Sequence, residues 1–479
     1  MKLSDLVKKI DTKEIIGDVN LEIMSLSMDS KTVNKNCLFF CLKGENFDGH
    51  DFVNEAKKYG AVAVVAERRL NTSLTQIIVK DTRLAMCKLS ASFYGNPQNK
   101  LKLIGITGTN GKTTTSYMIK HVLDGYGIKT GVIGTLGIRY DDVFLESSLT
   151  TPDPIELFSI LKDMVNLGVK VVVLEASAHA LYLKKLDAIK FYAGIFTNLT
   201  QDHLDFFITM ENYKNAKLSM LNADRCKFLI INADDEVGKS IINSQKKVIS
   251  YGIDNPSDVF AINLTPNSLG ESFVVNLFDK IYEVSLKTFG KFNVYNALSA
   301  MVACSLLGVP TETIIDKIST FNGVFGRVER LYYNGIKVFI DYAHTPDGLE
   351  QVIKALLPYT DNRLICVFGC GGNRDADKRK IMGNVSAKYA DLSILTTDNP
   401  RFEEPISIIK DIEVGFMGVS DEYVIIEDRK EAIKFALKSA KKGDTVLIAG
   451  KGGEKFQEIL GIKSPFDDKL IVEEFFNKG

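Results

Sequence analysis

Short apolar runs recur along this chain, separated by stretches in which apolar residues return every three or four positions. From "LKLIGITG" (101–108) onward the runs include "GVIGTLG", "VKVVVLEA", "FYAGIFTN" and "KFLIINAD". Runs of four to eight apolar residues closed by Gly, Asn or Asp predict buried strands, and the spacing between them predicts amphipathic helices. Such alternation implies parallel sheets with helices on both faces, an α/β fold. Over 258–286 the pattern changes, and "SFVVNLFDKIYEVSL" reads as a short antiparallel insertion; a helix is predicted near 293–307. After "FNGVFGRVER" the alternation restarts with "IKVFIDYA", "RLICVFG", "LSILTT", "EYVIIED" and "DTVLIAG". Before residue 98 the chain mixes short strands and helices. It begins with "MKLSDLVKKIDTKE", which reads as an amphipathic helix, and closes with "ASFYGNPQNK", which has linker composition.

Length turns this pattern into domains. A chain of 479 residues is too long for one core. The changes of pattern divide it into 1–98, 99–326 and 327–479, the last two each long enough for an α/β domain. Net charge is −1 with both signs spread throughout, so neither a basic footprint for nucleic acid nor an acidic tail is present. Seven scattered cysteines suit buried thiols in a reducing compartment, and Cys366 and Cys370 have no second pair nearby to complete a zinc site. The N-terminus carries charges throughout, unlike a signal peptide, and no apolar run approaches the ~20 residues that span a membrane. A cytoplasmic protein is expected.

Ligands of parallel sheets bind beyond the carboxyl ends of the strands, and the candidate chemistry lies there. "ITGTNGKTTTS" (106–116) follows a predicted strand and opens a predicted helix. In that context the backbone N–H groups of Gly108, Thr109, Asn110 and Gly111 cradle phosphate, Lys112 reaches the terminal phosphates, and the Thr113 hydroxyl, followed by Thr114, binds Mg²⁺. The loop is a variant form, because the glycine of the strict spacing falls at Ile106. A motor ATPase, a GTPase switch, a kinase and an ATP-driven ligase all use such a loop. The absence of an "NKxD" guanine reader removes the switch. Glu175, in "VVVLEASAHAL", ends a predicted strand and can hold a metal. Asp202, His203 and Asp205 follow the next one. Three of the five histidines (His179, His203, His344) stand directly after strands, which favours function over a satisfied core role for His203. Periodicity alone makes Lys217 a surface lysine. Arg401, in "TTDNPRFEEP", sits on a turn forced by Pro400, where its fork of donors could grip a carboxylate.

"GTNGKTTT", "EASAHAL", "FTNLTQDHLDF", "NYKNAK", "GKFNVYNALSA", "GRVER", "DYAHTPDGLE", "GCGGNRDADKR", "DNPRFEEP" and "AGKGGE" occur in this order. Together they resemble the Mur ligases, and among these the ligases that add the third residue to UDP-N-acetylmuramoyl-L-alanyl-D-glutamate. The likeness runs from "MDSKTV" near residue 28 to "AGKGGE" near 450. It implies an N-terminal uridine-binding domain, a central P-loop ATPase domain and a C-terminal Rossmann-like domain that binds the amino acid. It also implies an ATP- and Mg²⁺-dependent ligation through an acyl phosphate, in peptidoglycan precursor synthesis. No enzyme nucleophile is needed, which agrees with the lack of a Ser-His or Cys-His arrangement.

Carried over by position, Lys112, Glu175, His203 and Lys217 resemble the catalytic set. Thr113, Glu175, His203 and a carbamylated Lys217 resemble the magnesium side; a carbamate would turn a cation into a carboxylate-like ligand. Asn293 and Asn296 match the adenine stretch, and Arg327, Asp341 and His344 the nucleotide contacts from the third domain. Ser30, Asn46, Thr150, Thr151, Ser177 and Lys185 match contacts to the nucleotide-linked dipeptide. Arg374, Asp398, Asn399, Pro400, Arg401, Gly450 and Glu454 match the amino-acid pocket. In this family "DNPR" accompanies meso-diaminopimelate, whose distal carboxylate and ammonium suit two arginines and a glutamate. L-lysine has no distal carboxylate and would leave Arg401 without a partner.

The chain departs from the family at Ala178, Leu183, Lys185 and Gly453, where a second serine, a glutamine, an arginine and a histidine are usual. L-lysine and meso-lanthionine remain alternative substrates. A folylpolyglutamate synthetase-like ligase is a rival that would lack the first domain. A silent nucleotide-binding scaffold is another, and it would not need the full set of Lys112, Glu175, His203 and Lys217. The expected partners are the nucleotide-linked dipeptide and meso-diaminopimelate, with no nucleic acid, no membrane insertion and a monomeric chain.

Overall fold

The computed structural model describes residues 1–44, 47–147, 149–245 and 247–477. The chain forms two compact units, each built from several segments. One contains Met1–Thr107, Gly127–Gly194 and Ala216–Leu229; the other contains Gly108–Tyr126, Ile195–Asn215 and Ile230–Gly479.

In the first unit a five-stranded sheet runs in the order Thr12–Ile16, Thr75–Val79, Ala61–Ala66, Cys37–Phe40, Ser25–Ser27. Only the Thr12–Ile16 edge is antiparallel. Successive side chains of a strand face opposite ways. Leu38, Phe40, Ala63, Val65, Ile77 and Val79 therefore pack on one face with Leu3, Leu6 and the helix Thr82–Phe93. Cys37, Phe39, Val64, Ala66 and Ile78 pack on the other with Val53 and Ala56 of the helix Val53–Tyr59. The N-terminal segment corrects the expectation of one amphipathic helix. The helix ends after Leu3–Val7, and Thr12–Ile16 is a strand. Its β-branched Thr12, Ile15 and Ile16 have a partner strand at Thr75–Val79, so pairing overrides the local helical pattern. The same unit holds the parallel strands Lys102–Thr107, Val171–Glu175 and Thr130–Gly134, neighbours in that order. The antiparallel strands Gly137–Tyr140 and Val143–Leu145 extend them.

In the second unit Val248–Gly252 pairs in parallel with Val259–Asn267. Gly270–Leu277 and Lys280–Ser285 continue as an antiparallel meander, the predicted insertion. A six-stranded sheet runs Glu329–Tyr333, Ile336–Asp341, Thr445–Ala449, Leu364–Phe368, Leu392–Leu395, Tyr423–Ile425, with only the first strand antiparallel. Its alternate residues again divide between two layers. Phe339, Cys366, Phe368, Leu395 and Leu447 meet the helices Pro346–Leu356, Asp377–Tyr389 and Pro405–Glu413. Val338, Ile340, Ile365, Val367, Val446 and Ile448 meet Arg429–Ser439 and Asp468–Asn477. Both units are thus mixed α/β structures with mainly parallel sheets. Among the described residues no helix is long and apolar enough to cross a membrane.

Candidate active site

The phosphate loop lies in the second unit and opens the helix Lys112–Gly125. Two of its glycines are required by space. A Cβ on Gly108 (φ +142°) would lie 1.9 Å from Thr197 Oγ1, and one on Gly111 (φ +87°) 2.4 Å from Asn296 Oδ1. The loop is pinned from behind. Thr109 N donates to Asn198 O (2.9 Å), Asn110 N to Asn198 Oδ1 (2.9 Å), and Thr197 Oγ1 to Asn110 O (2.7 Å). Lys112 Nζ donates to the carbonyls of Gly108 and Thr109 at 2.9 and 2.7 Å. Asn293 and Asn296, both buried in the helix Lys291–Leu306, are linked to each other and to this helix. Asn296 Nδ2 donates to Asn293 Oδ1 (3.0 Å), and Thr115 Oγ1 donates to Asn296 Oδ1 (3.3 Å).

From just before the Glu329–Tyr333 strand, Arg327 reaches the same loop. Arg327 Nη2 donates to Thr113 Oγ1 at 3.3 Å, and its guanidinium lies 4.1 Å from the centre of the Tyr342 ring. Burial raises the Asp341 carboxyl above its ordinary range, although it accepts from the N–H groups of Val328 and Ala343, both at 2.7 Å. Asp202 lies between two histidines, with its Oδ2 3.3 Å from His203 Nε2 and 3.9 Å from His344 Nε2. Burial alone would raise this carboxyl, but the charges of His203, His344 and Lys378 hold it down at about 2. His203 itself adopts φ +55°, held in part by its N–H donating to Asp202 Oδ1 (2.9 Å).

The amino-acid residues named from the sequence come together beyond the carboxyl ends of three adjoining strands of the six-stranded sheet. Asn399 is the hub. Its Oδ1 accepts from Lys451 Nζ (2.8 Å) and Glu458 N (3.0 Å), and its Nδ2 donates to Glu454 Oε2 (3.0 Å). Burial raises the Glu454 carboxyl, an effect that Lys451, 3.5 Å away, opposes. A Cβ on Gly450 (φ +113°) would lie 2.6 Å from Asp398 Oδ2. Arg401, after Pro400, adopts φ +53° and donates from Nη1 to Gly372 O at 2.6 Å. Arg374 is half exposed, with Nη1 3.5 Å from Asp205 Oδ2.

The first unit gathers the remaining candidates. Glu175 is fully buried at its strand end and accepts from Thr135 N (3.2 Å) and Thr135 Oγ1 (3.0 Å). A Cβ on Gly134 would lie 2.0 Å from Glu175 Oε1. Thr150 Oγ1 is 3.2 Å from Thr135 Oγ1, and Thr151 Oγ1 is hydrogen-bonded to Glu175 O (2.7 Å) and Ser177 Oγ (3.1 Å). Ser177 caps the short helix Ala178–Tyr182 through its bond from Ala180 N. Lys185 is buried and pairs with Asp153 at 2.9 Å. Ser30 donates to Glu55 Oε2 at 2.7 Å, in the sheet domain at the N-terminus. Lys217, a surface residue by periodicity, is among the largest fully buried side chains. Asn46 lies outside the described residues.

Glu175 and Lys217 belong to the first unit, Thr113 and His203 to the second. Among the described residues no three His, Cys, Asp or Glu side chains form a metal-ligating group. Burial pushes the Cys366 and Cys370 thiols up to about 12. Sequence reasoning missed Thr135, Thr197, Asn198, Lys451 and Glu458, which hold the named residues in place. Their one local signal is position, each within a few residues of a strand end or site loop.

Comparison with known proteins covers nearly the whole chain. Residues 22–94 match the description "Mur ligase family, catalytic domain", 106–304 "Mur ligase middle domain" and 326–452 "Mur ligase, glutamate ligase domain". The chain is 45% identical over 485 residues, 100% of each chain, to UDP-N-acetylmuramoyl-L-alanyl-D-glutamate–2,6-diaminopimelate ligase 1 of Clostridium acetobutylicum. It is 44% identical to the corresponding ligase of Caldanaerobacter subterraneus subsp. tengcongensis, over 99% of this chain and 98% of the relative. A solved structure of UDP-N-acetylmuramoyl-L-alanyl-D-glutamate–2,6-diaminopimelate ligase superposes with TM-score 0.71 at 31% identity, covering 100% of this chain and 99% of the other. The fold and these relatives define a multidomain α/β enzyme, an ATP-dependent ligase. Within that class, the chain belongs to the Mur ligase family.

Proposed function

We propose that this chain joins meso-diaminopimelate to UDP-N-acetylmuramoyl-L-alanyl-D-glutamate in peptidoglycan precursor synthesis. The reading rests on family membership, on relatives named for that reaction, and on one observation. Asn399, Arg401, Gly450 and Glu454 meet beyond the sheet, with Arg401 in a left-handed backbone conformation that only surrounding contacts can maintain. The terminal carboxylate of the dipeptide takes the γ-phosphoryl group of ATP, giving ADP and an acyl phosphate. The uncharged amino group of the incoming amino acid attacks the acyl carbon, and the tetrahedral intermediate collapses with loss of phosphate.

Gly108 to Thr114 are assigned to the phosphates, with Lys112 neutralising charge that develops on them. Asn293 and Asn296 serve the adenine side, and Arg327, Asp341 and His344 approach from the C-terminal domain. Ser30, Asn46, Thr150, Thr151, Ser177 and Lys185 are assigned to the nucleotide-linked dipeptide. Arg374 and Arg401 grip the distal carboxylate of diaminopimelate and Glu454 its ammonium, with Asp398, Asn399, Pro400 and Gly450 forming the pocket. Thr113, Glu175, His203 and a carbamylated Lys217 would hold Mg²⁺. The buried Glu175 carboxylate, braced by Thr135, fits a hard cation that keeps most of its waters. Bound there, the ion would offset charge on the transferring phosphoryl group. The functional domains are assigned as 1–98, 99–326 and 327–479. We assign the chain to the cytoplasm as a monomer; seven buried free cysteines fit a reducing compartment.

Phosphate release with the nucleotide-linked dipeptide and a panel of meso-diaminopimelate, L-lysine, meso-lanthionine and L-ornithine tests the reading. Turnover confined to meso-diaminopimelate is expected, and Arg401→Ala should raise its KM far more than that of ATP. Preference for L-lysine would overturn the assignment of the arginines. Equal shifts in both KM values would make Arg401 structural.

A further inference from the structure

We propose that Glu458 is a positioning residue for the amino-acid pocket, one that orients the Arg401 guanidinium toward the distal carboxylate of the incoming amino acid. This rests on the function proposed above. Glu458 lies in the strand Phe456–Ile459, which forms a hairpin with Ile462–Pro465. The hairpin docks on the loop that carries Arg401. Arg401 N donates to Glu458 O (3.1 Å), Leu460 N to Arg401 O (2.6 Å), and Arg401 and Ile459 form an isolated parallel bridge. Gln457 Nε2 donates to Asp398 O (2.9 Å) and Glu458 N to Asn399 Oδ1 (3.0 Å). The main chain therefore fixes where the Glu458 side chain starts.

That side chain meets the arginine. Glu458 Oε2 lies 3.6 Å from Arg401 Nε, and the two side chains are 21% and 23% exposed. On the other side, Arg401 Nη1 donates to Gly372 O. With Nε facing a carboxylate and Nη1 a carbonyl, the fork is held at two corners and the Nη2 donors are left for a ligand. An arginine without such guides spreads over several rotamers and loses entropy on binding. The Glu458 charge also opposes the approach of a second carboxylate, so its benefit to binding must come from orientation. That opposition gives the proposal a definite sign to test.

Steady-state kinetics of Glu458→Ala and Glu458→Asp, alone and with Arg401→Ala, provide the test, with thermal melting as a check on folding. The main-chain ties of residue 458 survive either change. Glu458→Ala should raise the KM for meso-diaminopimelate about threefold to tenfold. The kcat and the KM for ATP should stay within about twofold, and Glu458→Asp should recover part of the loss. In the Arg401→Ala background the same change should add nothing. An unchanged or lower KM in Glu458→Ala, beside a raised one in Arg401→Ala, would overturn the proposal and leave the pocket assignment standing. A full additive effect in the Arg401→Ala background would also overturn it, because Glu458 would then act through another group. If Arg401→Ala itself leaves the diaminopimelate KM unchanged, the pocket assignment fails, and this proposal with it.

Discussion

Gly108→Ala tests whether the phosphate loop works through its backbone shape. The new Cβ would lie 1.9 Å from Thr197 Oγ1 and 3.1 Å from both N and O of Asn198, at a backbone φ of +142°. Thr197 could rotate its hydroxyl away, but that hydroxyl donates to Asn110 O at 2.7 Å. Asn198 cannot yield without releasing Thr109 N and Asn110 N. An L-residue in this region of φ costs on the order of 1–3 kcal/mol, and loss of the Thr197 bond adds about 1 kcal/mol. Together these give about 2–4 kcal/mol, all of it directed at the segment that would meet the phosphates. If that energy appears as lost nucleotide binding, the KM for ATP rises roughly 30- to 700-fold. Phosphate release measured against ATP concentration reads this, with thermal melting as the control. A KM for ATP within about twofold of the parent would refute the reasoning. So would a lowered melting temperature with nucleotide kinetics unchanged, because the strain would then be spread through the fold.

Two further predictions concern the scaffold. Arg429 and Asp468 are both fully buried, joined by bonds from Nε to Oδ1 (2.9 Å) and from Nη2 to Oδ2 (2.8 Å), and Nη2 also donates to Ala449 O (3.0 Å), next to Gly450. Asp468→Asn should destabilise the protein by about 3–5 kcal/mol in urea unfolding, since it leaves the arginine charge without a counter-ion; a loss below about 1 kcal/mol would contradict this. In the N-terminal sheet domain, burial would raise the Asp48 carboxyl, but bonds from His50 N and Arg68, and the contact with His50, hold it at about 2. A carboxyl depressed by folding contributes stability that is complete above its unfolded value near 4 and lost as pH falls through about 2. Asp48→Asn should therefore flatten the pH dependence of unfolding between about pH 4 and 2, and an unaltered acid limb would show that Asp48 is not the group responsible.

Local pattern carried the sequence a long way. Continuous apolar runs determined the strands from Lys102–Thr107 to Thr445–Ala449, because alternate side chains of a strand in a parallel sheet enter two different buried layers. The glycine-rich loop was legible because a turn that brings backbone N–H groups together excludes a Cβ at Gly108 and Gly111. Placement of the chemistry beyond strand ends followed from topology alone. What the tertiary structure decided depends on partners far away in the chain. Thr12–Ile16 is a strand because Thr75–Val79 offers it an edge, and a helical reading of "MKLSDLVKKIDTKE" has no access to that fact. Lys217 and Lys451 are buried, although a lysine at a helical or loop position reads as solvated until its neighbours are known. Arg401 was visible as a candidate from Pro400 onward, but its orientation is set by Gly372 and by a hairpin more than fifty residues later. Sequence determined which groups could do the chemistry, since periodicity and steric exclusion act over a few residues. Their burial and aim were left to the fold, because both depend on contacts between segments that no local pattern encodes.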